Sequence, residues 1–454
     1  MSGGWKMELD SVTLSRMLTS LTLAFHIIFA TIGVGVPVLI SAAEFIGIRK
    51  KDDHYILLAR RWARGFTITV AVGVVTGTCI GLQLSLLWPS FMQIAGHVIS
   101  LPLFMETFAF FFEAIFLGIY LYTWDRFKKP LHHWLLSIPV IIGSSASAFF
   151  ITTVNAFMNT PQGFKLEGRT ITEIDPLAAM FNPATPSKVL HVLTSSYMTA
   201  AFILASLAAF AILRGRGSEY HRKALKLTMI CGLLFSLATA IAGDISAKFL
   251  AKEQPEKLAA AEWHFETEKG ADLIVFGTID ENNEIRNEIR IPNALSFLAG
   301  SSFDTEVIGL NEFPEDERPP LWIHYLFDSM VSIGFFALGI SALFVFLSYW
   351  KKANPFKKWL LFLIVCSGPL SMLAIEFGWI YAEVGRQPWI LRGYMKVAEG
   401  ATQADNVGVT FLMFLALYIV LGIITVTVLL KMFRNKPAQA EFNDRFPDSP
   451  GIGQ

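Results

Sequence analysis

Along this 454-residue chain, apolar residues gather in blocks of twenty or more, separated by short polar links rich in Lys and Arg. A bilayer core about 30 Å thick needs about 20 apolar residues at a rise of about 1.5 Å each. Windows of that length predict nine membrane-spanning helices. They fall near 18–46, 65–89, 95–124, 132–156, 187–213, 223–248, 321–349, 358–384 and 407–432. Basic residues occupy alternate links. Arg49, Lys50, Lys51, Arg60, Arg61 and Arg64 follow the first span, and Arg126, Lys128 and Lys129 follow the third. Arg214, Arg216, Arg222, Lys223 and Lys226 surround the link after the fifth; Lys351, Lys352, Lys357 and Lys358 follow the seventh. Lys431, Arg434 and Lys436 follow the ninth. The positive-inside rule makes these links cytoplasmic. The expected architecture is an all-α integral membrane protein with nine transmembrane helices, N-terminus outside and C-terminus cytoplasmic.

Only one connection is long. It divides the chain into 1–248 (helices one to six), an extracytoplasmic loop 249–320, 321–436 (helices seven to nine) and a cytoplasmic tail 437–454. Loops beyond about 15 residues are functional or disordered. This one opens on helix formers, AKEQPEKLAAAEWHFETE. Further on, DLIVFGTIDENNEIRNEIRIP alternates apolar and polar positions about Glu-Asn-Asn, the pattern of a small hairpin. The tail after Lys436 is polar, contains prolines and reads as disordered. Composition agrees with a membrane protein: 53% hydrophobic against 16% charged, with zero net charge and hence no nucleic-acid footprint. Cys79, Cys231 and Cys366 all lie in apolar spans, form no CxxC pair and read as small buried hydrophobes. The first residues, MSGGWKMELDSVTLSRMLTS, lack the short apolar core of a removable signal peptide.

Candidate chemistry begins in the third span, where LPLFMETFAFFFEAIFLGIYLYTW holds Glu106 and Glu113. A charged carboxylate at the bilayer centre costs about 2.5 kcal/mol or more, and the i, i+7 spacing puts both on one face. A proton route, a haem or metal environment and an ion site are the candidate uses; a neutral, hydrogen-bonded carboxyl is the plain alternative. Glu376 and Glu383 repeat the spacing in EFGWIYAEVGRQPW at the end of the eighth span. Arg386 follows and can hold a propionate or carboxylate bidentately, while Pro388 ends the helix and Trp389 suits the interface belt. His26 and His191 are intramembrane imidazoles, each either a haem ligand or a buried hydrogen-bonding group. Met330 lies near the outer end of the seventh span at about the depth of His191. That pair could complete a six-coordinate, low-spin b-type haem.

The chain resembles subunit I of the cytochrome bd family of quinol:oxygen oxidoreductases over nearly its whole length. SRMLTSLTLAFH, METFAFFFE, WDR, NAFMNTPQGF, KVLH, AGDISAKF, QPEKLAAAE and GRQPW carry the resemblance, in that order. It implies a multi-pass enzyme of the bacterial cytoplasmic membrane that oxidises quinol outside and reduces oxygen to water with cytoplasmic protons. It also implies three haems: a low-spin b, a high-spin b, and haem d or a third b. By resemblance, His191 and Met330 ligate the low-spin haem. His26 and Glu383 serve the high-spin pair, with Glu106 and Glu113 beside them and Arg386 and Trp389 at the cofactor edge. Lys257 and Glu262 match the quinol motif of the long loop, here in its short form. A second large membrane subunit and a small single-span subunit are the implied partners, with lipid and quinol around them. Asp328 stands two positions before Met330, where some members carry Arg.

Protons drawn from the cytoplasm must cross hydrocarbon by carboxyls, hydroxyls and water. Asp125, Glu113, Glu106, Ser147 and Asn155 could furnish that route. Glu106 and Glu113 are about 10 Å apart along the helix, so water must bridge them. His132 and His133 lie at the cytoplasmic edge and read as interfacial. A carboxylate-coupled transporter would explain Glu106 and Glu113 but not His191 with Met330 or the GRQPW segment. A two-haem quinol dehydrogenase wants paired histidines on two helices, and a copper oxidase wants clustered ones; the chain has neither pattern.

Overall fold

Where backbone groups have no water to bond, each apolar block must satisfy its own N–H and C=O groups, and each forms a helix. The computed structural model describes residues 10–168, 170–280, 283–350 and 354–447. In chain order the helices are α1 (Ser11–Lys50), α2 (Asp53–Leu87), α3 (Pro89–Tyr122), α4 (Pro130–Trp134), α5 (Ser137–Asn159), α6 (Pro176–Met180), α7 (Thr185–Leu213) and α8 (Glu219–Glu253). There follow α9 (Pro255–Ala261), α10 (Ala294–Gly300), α11 (Ile323–Tyr349), α12 (Lys358–Val384), α13 (Val397–Gly400), α14 (Val407–Asn435) and α15 (Ala438–Arg445). Among the described residues nine segments are long and apolar enough to span a membrane, with α4 and α5 together forming the fourth. Several outrun their apolar windows because polar caps extend them. The Asp10 carboxylate accepts from Thr13 N at 2.7 Å to open α1, and Asp52 accepts from His54 N at 3.1 Å to open α2.

Helix α3 shows how the bundle is oriented. Phe104, Phe108, Phe111 and Ile115 are each at least 60% exposed and form one stripe suited to lipid. At about 100° per residue, Glu106, Glu113 and Tyr120 lie about 180° from that stripe, against α5. Small residues let the helices approach. A Cβ on Gly143 of α5 would sit 2.8 Å from Glu113 Cβ, and one on Gly368 of α12 would sit 2.7 Å from Ser206 Cβ of α7. Helices α7, α8, α11 and α12 pack in a ring, each against the next, so that α7 and α11 stand on one diagonal.

The long loop folds over that ring. Its hairpin forms as expected: Leu273–Val275 pairs antiparallel with Ile289–Ile291, and Thr278–Ile279 with Ile285–Arg286. Buried His324 at the start of α11 anchors it. The ring Nδ1–H donates to Ala261 O at 2.6 Å, and Trp263 stacks on the imidazole at 3.9 Å between centroids. Asp328 accepts from Phe276 N at 2.5 Å and so pins the hairpin to the same helix.

Two expectations are corrected. The tail after Lys436 is not disordered over its described part. Helix α15 docks because Glu441 accepts from Arg61 at 2.5 Å and Arg64 at 2.6 Å, and Phe442 stacks on His54 at 4.0 Å. The eight residues of α15 alone give no sign of this, since their partners lie at the start of α2; residues 448–454 lie outside the described ones. His133 is not interfacial either. It is buried, with Nδ1 2.6 Å from Glu44 and Nε2 2.9 Å from Tyr120 O, whereas His132 is exposed. All three cysteines are free and half-buried.

Candidate functional site

His191 lies six residues into α7 and Met330 seven into α11, so both sit about 9–10 Å inside the ring from the loop end. The two other helices of the ring supply glycines beside them. A Cβ on Gly378 of α12 would lie 3.0 Å from Met330 Sδ, and one on Gly243 of α8 would lie 3.8 Å from His191 Cε1. His191 Nδ1 is buried with no hydrogen-bond partner. A thioether and an imidazole on diagonal helices, lined by glycines, would suit the holding of a haem iron.

His26 is prepared differently. The Thr76 hydroxyl donates to Val72 O at 2.9 Å, so its oxygen accepts from His26 Nδ1–H, also at 2.9 Å. That hydrogen bond fixes the tautomer and leaves the Nε2 lone pair free for a metal. A Cβ on Gly77 would lie 3.3 Å from the same ring.

Near the loop end, Glu383 collects cations. Arg386 Nη2 donates to its Oε2 at 2.6 Å, and Asn155 Nδ2 of α5 donates to its Oε1. Asn155 Oδ1 in turn accepts from Lys188 Nζ at 2.8 Å, and Lys257 Nζ donates to Ala382 O at 3.1 Å. Three cations thus surround one carboxylate, and Arg386 keeps Nε and Nη1 buried without partners. Buried unpaired donors are costly, and an anionic group such as a propionate would satisfy them. The residues fit a haem. Among the described residues no three His, Cys, Asp or Glu side chains converge, so a multi-ligand site for a bare metal ion is not formed.

A line of polar groups runs away from Glu383 along α5 and α3. Ser147 donates to Glu106 at 2.9 Å, two turns from Asn155; Glu113 follows, with Oε1 buried and unpartnered. Asp125, beyond the other end of α3, is bound at 2.5 Å and 3.2 Å by Arg60, whose hydrogen bonds hold its carboxyl below the usual range.

The chain's likeness to known proteins agrees with this geometry. Residues 14–437 match the family profile of cytochrome bd terminal oxidase subunit I. The chain belongs to that family. It is 46% identical over 440 residues to a Bacillus subtilis protein named "Putative cytochrome bd menaquinol oxidase subunit I", covering 96% of this chain and 99% of that one. It is 31% identical over 442 residues to the cytochrome bd ubiquinol oxidase subunit 1 of the same organism, covering 93% of each. A solved bd oxidase from Geobacillus thermodenitrificans superposes with a TM-score of 0.91 at 64% identity, covering 94% of this chain and 99% of that chain. Membership in the bd oxidase family makes this a multi-pass protein of the bacterial cytoplasmic membrane, of a kind that carries haem and works with other subunits.

In this bd oxidase subunit the two loop residues converge on α12 from one short segment. Lys257 lies within α9, whereas Glu262 is the first residue past it. Arg392 binds Glu256 at 2.7 Å and Glu253 O at 2.7 Å, docking α9 against the segment after Arg386. Lys257 Nζ lies 4.7 Å from the centre of the Tyr381 ring. Burial pushes the Lys257 pKa down to about 7, helped by Arg386 and opposed by Glu383. Burial, with Asp328 nearby, pushes Glu262 far above the usual carboxylate range, and both of its oxygens lack partners. Trp389 is half-buried just beyond Arg386, with Lys396 Nζ 5.6 Å from its ring centre. No hydrogen bond or ion pair joins His26 to Glu106 or Glu113 among the described residues. The sequence reading missed Lys188, Thr76, Gly243, Gly378 and Arg392. Only Lys188, a cation three residues before His191, carried a visible signal.

Proposed function

We propose that this chain is the haem-bearing subunit of an electrogenic quinol:oxygen oxidoreductase, with its N-terminus and long loop outside. The observation that carries the reading is the glycine-lined ring holding His191 and Met330 directly beneath the Lys257–Glu262 loop. Names of relatives, menaquinol oxidase and ubiquinol oxidase, support the substrate class. His191 and Met330 would hold the low-spin b haem; His26 and Glu383 would serve two high-spin haems, one of them haem d or a third b. When bound, the haems supply one-electron transfer and the oxygen-reducing centre. The protein's own residues bind, orient and move protons. Lys257 donates to a quinol oxygen. Quinol hydroxyls supply Glu262 with the hydrogen bonds it lacks, which favours its ionised form and lets it take the quinol proton. Arg386 and Lys188 neutralise propionates, and Trp389 packs at the cofactor edge. Asp125, Glu113, Glu106, Ser147 and Asn155 line the inward proton route. A second large membrane subunit and a small single-span subunit complete the complex.

The test is haem extraction with mass analysis from the purified oxidase, together with quinol-driven oxygen uptake. Haem with oxygen uptake is expected, and the masses decide between haem d and a third b. Glu262→Gln should cut uptake from quinol while an artificial donor still drives oxygen reduction. Equal loss with both donors would remove Glu262 from the quinol site.

A further inference from the structure

Away from the haem and quinol sites, three titratable groups are buried together at the basic end of the bundle: Glu44 of α1, Tyr120 of α3 and His133 of α4, each 2% exposed. Their hydrogen bonds determine how many protons they hold. Tyr120 O is a carbonyl and can only accept, so His133 Nε2 carries a proton and donates it at 2.9 Å. The Tyr120 hydroxyl donates to Glu44 Oε2 at 2.6 Å. His133 Nδ1 and Glu44 Oε1 then face each other at 2.6 Å, and two lone pairs cannot share that distance. One further proton sits between them, on either atom, and it is the mobile one.

We infer that Glu44, His133 and Tyr120 form the cytoplasmic proton-loading station of the route to Glu113; this rests on the oxidase reading above. Three observations carry it. Tyr120 extends the Glu106–Glu113 spacing by one further heptad, so all three lie on the face of α3 turned to α5. The step from Glu113 to Tyr120 is about 10 Å, too long for direct transfer. Beside Tyr120 lies a cavity of about 10 Å³ lined by Pro37, Phe66, Leu117, Tyr120, Ser137 and Val140. That is about the room one water needs, and Tyr120 and Ser137 are the polar residues of its lining. Asp125 is a poorer carrier, since Arg60 holds it ionised and bound.

The proton count closes at each step. A proton from the cytoplasm reaches His133 Nδ1 as the shared proton passes to Glu44 Oε1, and the carboxyl then turns to bring that proton to Tyr120. Glu44 gives it to the Tyr120 oxygen as the Tyr120 hydroxyl proton leaves for the cavity water. That water passes one proton to Glu113, and the station returns to its starting state. No electron moves. Around the station, Trp124 packs at a tilt on His133 at 4.2 Å between centroids and Arg60 lies 4.6 Å from the Trp124 ring, so the cluster is roofed but close to the surface.

The experiment uses the assembled oxidase with Glu44→Gln, Glu44→Asp and Tyr120→Phe. Tyr120→Phe keeps the ring that packs on His133 and removes only the hydroxyl. Oxygen uptake with saturating quinol should fall about tenfold or more in Glu44→Gln and in Tyr120→Phe. Haem spectra and quinol KM should stay unchanged, the solvent deuterium effect should rise, and Glu44→Asp should recover part of the rate. Wild-type turnover and isotope effect in Glu44→Gln and Tyr120→Phe overturn the station. Loss of haem and thermal stability in proportion to turnover also overturns it, leaving the cluster as a structural clamp. Absence of quinol-driven oxygen uptake in the unaltered oxidase sinks the oxidase reading itself, and the station with it.

Discussion

Gly378→Ala tests the Met330 assignment without touching the sulfur. The added Cβ would sit 3.0 Å from Met330 Sδ, where heavy atoms ordinarily approach to about 3.5–4 Å. The α12 backbone is held by its own helix and by close packing on α7, so the flexible Met330 side chain retreats by several tenths of an ångström. Overpacking of this kind costs about 1–3 kcal/mol. If Met330 is an axial ligand, that cost falls on the sulfur-bound state and shifts its equilibrium against binding by about 5–150-fold. The control is Gly243→Ala on the facing side. Its Cβ would lie 3.8 Å from His191 Cε1, an ordinary contact. Both changes gain the same helix propensity, so their difference isolates the sulfur. Absorption and electron paramagnetic resonance spectra of the purified oxidase read the outcome. Gly378→Ala should convert a large share of the low-spin haem to high-spin, Gly243→Ala should leave it low-spin, and Met330→Leu marks the end point. An unchanged low-spin spectrum in Gly378→Ala refutes Met330 as the ligand, and so does equal damage from both glycine changes.

Other consequences follow from the same geometry. Because the Lys257 pKa is lowered to about 7, its ammonium is present below that pH and lost above it; quinol KM should climb as pH is raised from about 6 to 8. Lys257→Arg, protonated throughout, should flatten that limb, and an identical limb in the variant would exclude Lys257. The same lowered value means the unfolded chain binds the extra proton between about 7 and Lys's free value, so this site's contribution to stability rises with pH there. Glu113→Gln keeps size and hydrogen bonding but carries no proton, so the His191/Met330 haem should persist while oxygen reduction falls at least tenfold. Full haem content with full turnover would leave Glu113 a satisfied buried carboxyl, whereas Glu113→Ala would confuse the result with a cavity. Glu441→Ala strands the buried Arg61 cation, which retains Lys436 O at 2.7 Å and its contacts with the Tyr220 and Phe433 rings. The cost should be about 3 kcal/mol, read as earlier thermal unfolding and faster proteolysis of the tail. An unchanged melting profile would mean that α15 contributes nothing.

What the amino-acid sequence determined alone was everything governed by local periodicity. A span must hold about 20 apolar residues wherever it sits, so the nine helices could be read without any tertiary contact. Heptad spacing put Glu106 and Glu113 on one face, and alternation about Glu-Asn-Asn gave the loop its hairpin. The GRQPW and KVLH segments marked the family. Tertiary structure decided the pairings, because they join residues with no periodic relation. The threonine that sets the tautomer of His26 lies on the next helix, and the glycine beneath Met330 is 48 positions on. The second and third cations around Glu383, Lys188 and Lys257, come from α7 and from the loop. Glu44 carried no signal of its own in the first span, and His133 looked like an edge residue. Only packing α1, α3 and α4 together removed water from both, and without water their shared proton must pass between side chains.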